Sequence, residues 1–203
     1  MTIPEGKIQY NFDYDDWYNF TALDERHLYF NGEIEEDCID IISTNIIRFN
    51  TEDKGKDVKD RKPIMIYLNS PGGQVSTGMG VCDIIKLSIT PVYVVNLGIA
   101  MSMAFMLYIV ADKRFALPNA QFLMHDGSTF IGYEASAKVR DRVEFDTEVE
   151  SRIRQMVLDN TKITSELYDE KYRTEFYFLA DKGKELGVVD YIIGQDCSIE
   201  DIT

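Results

Sequence analysis

Cysteine and histidine are both scarce. Cys38, Cys82 and Cys197 form an odd, widely spaced set that supplies neither a disulfide framework nor a zinc cluster. The only histidines are His27 and His125, which argues against a histidine-rich metal centre. No metal or cofactor is therefore expected, and reduced thiols suit a cytoplasmic protein. A GxxxxGK[ST] loop is missing, so the chain has no nucleotide-binding loop of that type. Positive charge is short as well: 21 basic against 35 acidic residues leave a formal net charge of −14. A surface that acidic repels phosphate backbones and excludes nucleic acid as an expected partner. The opening MTIPEGKIQYNFDYDDWYNF lacks the basic start and apolar run of a secretory signal. The most apolar stretch, about 91–110, is broken by Asn96, Gly98 and Ser102. It reads as a core strand entering a buried helix, so no membrane association is expected.

What is present suits one compact α/β domain, since 203 residues at 45% hydrophobic content can bury a substantial core. Residues 1–20 read as an N-terminal arm, and 21–203 as the single domain. A short strand is expected at 27–31 (HLYFN), then a helix over 35–49 with Ile39, Ile42, Ile46 and Phe49 on one face. The charged stretch 50–63 reads as a loop, and 64–68 (IMIYL) as a buried strand. A turn at 69–73 leads into a helix over 77–87, a strand at 92–96 and a helix from about Ser102. Strand-like pieces at Phe115 and 122–124 precede a long helix over 133–160. A short helix after Thr164 and a strand at 188–193 complete the chain. Strand–turn–helix repetition of this kind predicts βαβ units and a mostly parallel sheet.

Three segments carry residue types that chemistry needs. In Ser70-Pro71-Gly72-Gly73, paired glycines at a strand end allow a sharp turn with unobstructed N–H groups, and a helix follows. Such a turn can donate to an oxyanion, and equally serves as an ordinary βα connection. Ser102 lies among small residues at a second strand-to-helix junction, a geometry that can expose a hydroxyl beside the N–H of Met103, although GxSxG is absent. The same pattern also describes a small-residue packing site with the serine bonded to its own backbone. His125 ends the strand QFLM, where a neutral imidazole can reach the mouth of a parallel sheet and accept a serine proton. A surface histidine at a turn is the plainer alternative. His27 precedes a strand with no nucleophile at its far end. Taken together, the segments provide a nucleophile, a base and two oxyanion donors on successive strand ends, as acyl transfer requires.

In this order and near this spacing, LNSPGG (68–73), GIAMSM (98–103) and LPNAQFLMH (117–125) resemble the signature segments of ClpP, the caseinolytic protease subunit family. ELGVVDYII (185–193) is similar too, and more loosely LDERHLYFNGEI (23–34), so the resemblance spans about 23–193. It implies an α/β, ClpP/crotonase-like fold of repeated βαβ units with a protruding long handle helix, here 133–160. It also implies Ser102 as nucleophile, His125 as general base, and the N–H groups of Gly73 and Met103 as oxyanion donors. Aligned on ELGVVD, Glu175 in RTEFYFLA takes the position of the family's triad aspartate, with Asp169 in reserve.

The family's habits further imply a homo-oligomer of heptameric rings stacked as a tetradecamer, cleaving unfolded polypeptides inside its chamber. A hexameric AAA+ unfoldase is the implied partner, docking in pockets of which Tyr67 is one aromatic. The chain also departs from the pattern. Met65 replaces a common second tyrosine, and Thr174 replaces an arginine that links ring contacts to the site, with Arg173 adjacent. Residues 126–130 (DGSTF) replace a Gln-Pro pair and a glycine-rich stretch, the 50–63 connection is long, and the arm with Trp17 matches no usual axial loop. The expected function is a serine endopeptidase subunit. A non-catalytic ring subunit serving an active paralogue is the alternative. An acyl-CoA enzyme of the crotonase type is disfavoured by the serine–histidine pair.

Overall fold

The computed structural model describes residues 21–127 and 136–202. The expected arm at 1–20, the segment Ser128–Phe130 and the first residues of the expected handle helix lie outside them.

Among the described residues, seven strands form one sheet: β1 (His27–Asn31), β2 (Ile64–Ser70), β3 (Val92–Met101), β4 (Lys113–Ala116), β5 (Gln121–Met124), β6 (Phe176–Leu179) and β7 (Tyr191–Ile192). The order β1-β2-β3-β4-β7 is parallel throughout. β3 is long enough to serve two neighbours. Its first half pairs with β4 (Tyr93–Asn96 against Lys113–Ala116), and its last three residues pair with β5 (Ile99–Met101 against Gln121–Leu123). β5 in turn pairs with β6, and this contact is antiparallel. The sheet forks where Leu97 and Gly98 separate the two pairings, and the candidate site residues cluster beyond the fork.

Side-chain alternation divides the packing between the two faces of the sheet. Ile64, Ile66 and Leu68 of β2, with Val92 and Val94 of β3, enter the main core beneath the helices. Met65, Tyr67 and Val95 point the other way and form a smaller cluster with Phe115, Ile193 and Ile202. The apolar stretch at 91–110 is, as its pattern suggested, β3 running into a helix with every residue buried, α4 (Met103–Ile109). No helix among the described residues is long and apolar enough to cross a membrane.

The helices refine several expectations. In place of a regular helix over 35–49 there are α1 (Glu36–Cys38), a π-helical turn (Ile39–Ser43) and α2 (Thr44–Glu52). The wider turn shifts the face by part of a residue step. Ile42, Ile46 and Phe49 are buried as expected, whereas Ile39 is exposed and Cys38 is buried instead. The 50–63 segment is less loop-like than its charge implies. α2 continues into it, and Asp53 is fully buried, held by Arg26 at 2.6 and 2.9 Å, by Lys56 at 2.7 Å and by the Thr90 hydroxyl at 2.8 Å. α3 (Val75–Leu87) begins two residues before the expected point. The last strand covers only Tyr191–Ile192, short of the expected 188–193. The handle, α5 (Ser136–Asn160), buries only Met156 and Val157, so most of its length stands clear of the core. α6 (Ser165–Lys171) starts after Thr164, whose hydroxyl caps it by accepting the Leu167 N–H. α7 (Ala180–Glu185) follows β6 directly.

Candidate active site

Ser102 sits between β3 and α4 with φ 54° and ψ −122°. A non-glycine residue at positive φ costs of order 1–3 kcal/mol and persists only where its surroundings over-determine it. Here they do. The Ser102 N–H donates to the Leu123 carbonyl of β5 at 2.9 Å, and the Ser102 carbonyl accepts from Phe105 N–H at 3.1 Å. With the main chain held at both ends, the hydroxyl is left at the cavity described below. Met103 opens α4, so its N–H has no intrahelical acceptor.

The Gly72-Gly73 turn packs on the same spot. A Cβ on Gly72 would fall 2.7 Å from the Ser102 Cβ, 2.7 Å from the Met101 carbonyl and 3.0 Å from the Met103 nitrogen, so only glycine lets the turns approach. Gly73 bridges Ile34: Ile34 N–H donates to Gly72 O, and Gln74 N–H donates to Ile34 O, each at 2.8 Å. In a parallel bridge of that register, Gly73's own N–H points away from the Ile34 segment.

His125 follows β5, two residues beyond the carbonyl that holds Ser102. Its Nε2 is buried without a hydrogen-bond partner among the described residues, which marks it as a candidate for a role. Ser102 and His125 line one small cavity of about 40 Å³, with Met103, Met106, Met124 and Tyr168 among its walls. A wide cleft of about 820 Å³ adjoins it, running from Gly73 and Val75 along Phe145, Val149 and Ile153 of α5. That volume is on the scale of a ligand site.

The proposed third members lie farther out. Glu175 is exposed just before β6. The β5–β6 ladder ends at Met124 opposite Phe176, and one more pair in that register would set Glu175 opposite His125. Desolvation and the nearby Glu175 carboxylate together raise the Tyr177 phenol. No hydrogen bond joins Glu175 to His125 among the described residues. Asp169 makes a bidentate pair with Arg154 at 2.9 and 3.0 Å. Tyr67 lies on the opposite face of the sheet, stacked on Tyr29 with centroids 4.7 Å apart.

The sequence marked Asn96 only as a break in the apolar stretch and assigned neither it nor Asn69 a bracing role at the fork. The Asn69 side chain accepts from Ile99 N–H at 3.1 Å and donates to Asn31 at 2.6 Å. Fully buried Asn96 donates to the Gln121 carbonyl and accepts from Gly98 N–H, each at 3.0 Å. Both are polar residues in otherwise apolar strands, and that mismatch was the available signal. Gly78 of α3 was equally silent, although a Cβ there would overlap the Met103 side chain.

Comparison with known proteins bears on the family and the fold. The profile of the family described as Clp protease matches residues 12–196. The ATP-dependent Clp protease proteolytic subunit 2 of Corynebacterium efficiens is 28% identical over 195 residues, covering 95% of this chain and 92% of that protein. Proteolytic subunit 1 of Frankia casuarinae is 31% identical over 179 residues, 87% of this chain and 81% of its own. Among solved structures, a point mutant of ClpP1 from Listeria monocytogenes superposes with a TM-score of 0.76 at 23% identity, over 92% of this chain and 99% of that one. The fold is therefore the ClpP type of α/β fold with its long handle helix, and with residues 12–196 matched by the family profile, this chain belongs to the Clp protease family.

Proposed function

We propose that the chain is a serine endopeptidase subunit that cleaves unfolded polypeptides by an acyl-enzyme mechanism. One observation carries the reading: a strained Ser102 shares a small cavity with a histidine whose Nε2 is buried and unpartnered. In this mechanism Ser102 Oγ attacks the scissile carbonyl, and its proton passes to His125 Nε2. The carbonyl oxygen becomes an oxyanion facing the N–H groups of Gly73 and Met103. The imidazolium then protonates the leaving amine, and a water, deprotonated by His125, releases the acyl group. Glu175 is the residue that orients His125, swinging from Tyr177 as the β5–β6 ladder extends by one pair.

The cleft along α5 would hold the substrate chain, and a chamber of stacked heptameric rings would exclude folded proteins. The relatives' names include the words ATP-dependent. In this chain that dependence would come through an AAA+ unfoldase docked on the Tyr67 face. A single domain over 21–203 with a separate arm, in the cytoplasm, completes the proposal.

A second reading, a non-catalytic ring subunit beside an active paralogue, is favoured by the exposure of Glu175 and by Thr174 standing where the family has an arginine. A fluorophosphonate probe separates the two. Labelling of the ring-sized wild type that disappears in Ser102→Ala and His125→Ala supports the peptidase. A folded, assembled wild type that stays unlabelled supports the scaffold.

A further inference from the structure

The last described residues lie on the face of the sheet opposite the candidate active site. After β7, Ile193 bridges Cys197, and Gly194 N–H donates to the Cys197 carbonyl at 2.7 Å. Asp196 accepts from Ile192 N–H at 2.7 Å and pairs with Lys184. These bonds fold the tail back on the sheet. A final 3-10 turn (Ile199–Ile202) is tied by Asp201, which accepts from Ser198 N–H at 2.7 Å. Ile199 points outward and is 62% exposed, whereas Ile202 is 5% exposed. The buried side chain joins Met65, Tyr67, Val95, Phe115 and Ile193, and its carbonyl accepts the Tyr67 hydroxyl. Tyr67 is thus covered on a surface that would otherwise present a tyrosine ring, a methionine and a phenylalanine together.

We infer that residues 198–202 are a built-in stopper for the Tyr67 pocket, and that a partner peptide with one aliphatic side chain and a free backbone carbonyl enters only when this tail leaves. The inference rests on the docking role given above to the Tyr67 face, and not on catalysis by Ser102. The chemistry of the occupant is read from the tail itself: Ile202 supplies an apolar side chain to the pocket and an acceptor to the phenol. Little of the turn is buried besides that residue. Glu200 and Asp201 are exposed, so Ile202 is the one side chain by which the turn enters the pocket. Release of a turn held by one side chain and a few hydrogen bonds is a local opening that leaves the sheet intact.

The probe is a synthetic peptide of residues 198–202, acetylated and amidated, added to the full assembled protein. Methyl NMR of Met65 and Ile193 reports its arrival in the pocket. Wild type is compared with Ile202→Ser, which keeps the tail but removes its anchor, and with a chain ending at Cys197. A tethered tail competes at an effective concentration on the order of millimolar, so both variants should reach half-saturation at about tenfold less peptide than wild type. Tyr67→Phe in the Ile202→Ser background should weaken binding by about threefold to tenfold, one hydrogen bond. Equal titrations in wild type and both variants would overturn the stopper, and so would the absence of shifts in all three. Fluorophosphonate labelling of the same samples reads the peptidase separately. Unlabelled protein that still shows the tenfold difference would sink the catalytic reading and leave the stopper standing.

Discussion

Gly72→Ala is the substitution that best tests whether the two glycine-framed turns form one catalytic unit. The added Cβ would meet the Ser102 Cβ and the Met101 carbonyl at 2.7 Å, whereas ordinary contact begins at 3.4 Å, so one turn must retreat by about 0.7 Å. All three atoms met belong to the main chain or to a Cβ, and none can rotate away. Residue 72 also sits at φ +100°, where a side chain is strained whatever the space. Overpacking of this kind costs about 1–3 kcal/mol of stability. The sharper effect falls on the reaction, because displacing a reacting group by about 1 Å can cost on the order of 100-fold in rate. We expect the Gly72→Ala protein to fold and to label with fluorophosphonate about 10-fold to 100-fold more slowly. Gly80, in the same helix that follows the turn, is the control, since a Cβ there meets nothing within 4 Å. Gly80→Ala should leave labelling unchanged and stabilise the chain by about 0.4–1 kcal/mol in urea melts. A Gly72→Ala protein that folds normally and labels within threefold of wild type would refute the shared-site argument.

Three further tests follow from named contacts. Replacing Glu175 by Gln should slow labelling by about 100-fold or more if it orients His125, while Asp169→Asn, which breaks only an exposed pair with Arg154, should change it by less than about twofold. The reverse ranking would transfer the role to Asp169. Asn69→Ala leaves Ile99 N–H without its acceptor, and urea melts should show a loss of about 1–3 kcal/mol together with slower labelling. The buried Asp53 is held well below the usual carboxylate range, first by its hydrogen bond from Arg26, against the opposing effect of burial, with Lys56 and Thr90 helping. A carboxyl depressed in the folded state contributes stability above its unfolded value of 3.8 and loses it as pH falls toward the folded value. Wild type should therefore lose stability steeply below about pH 4, and Asp53→Asn should be weaker by about 3–5 kcal/mol at pH 7 with a flatter acid limb. Parallel acid limbs for the two proteins would show that Asp53 is not the titrating group.

Much of this molecule is written in local pattern. Alternation in IMIYL, the run VYVVN and the small-residue junction after it depend on contacts within a few residues, and period and turn chemistry report such contacts well. Most of the parallel strands and the Clp protease family were legible for that reason, whereas β6 and its antiparallel pairing with β5 were not. The segments around Gly73, Ser102 and His125 stood out only together, because each alone has an ordinary reading as a turn or a packing site.

Other features depended on which distant residues meet. The π turn that exposes Ile39 and buries Cys38 follows from fitting a helix to the sheet, and the helical period alone cannot show it. Asp53 reads as one charge in a polar loop until the fold brings Arg26 and Thr90 to it. The fork in β3 exists because β4 and β5 compete for one strand, a tertiary matter that leaves only Asn96 and Gly98 as local traces. The positive φ of Ser102 and the approach of Gly72 are set jointly by two turns about thirty residues apart. The tail's return to Tyr67 joins residues 135 positions apart. Sequence determined which residues could form strands, turns and a serine–histidine chemistry. Tertiary packing decided which of them share a cavity, since burial and hydrogen bonding act on distance in space and not along the chain.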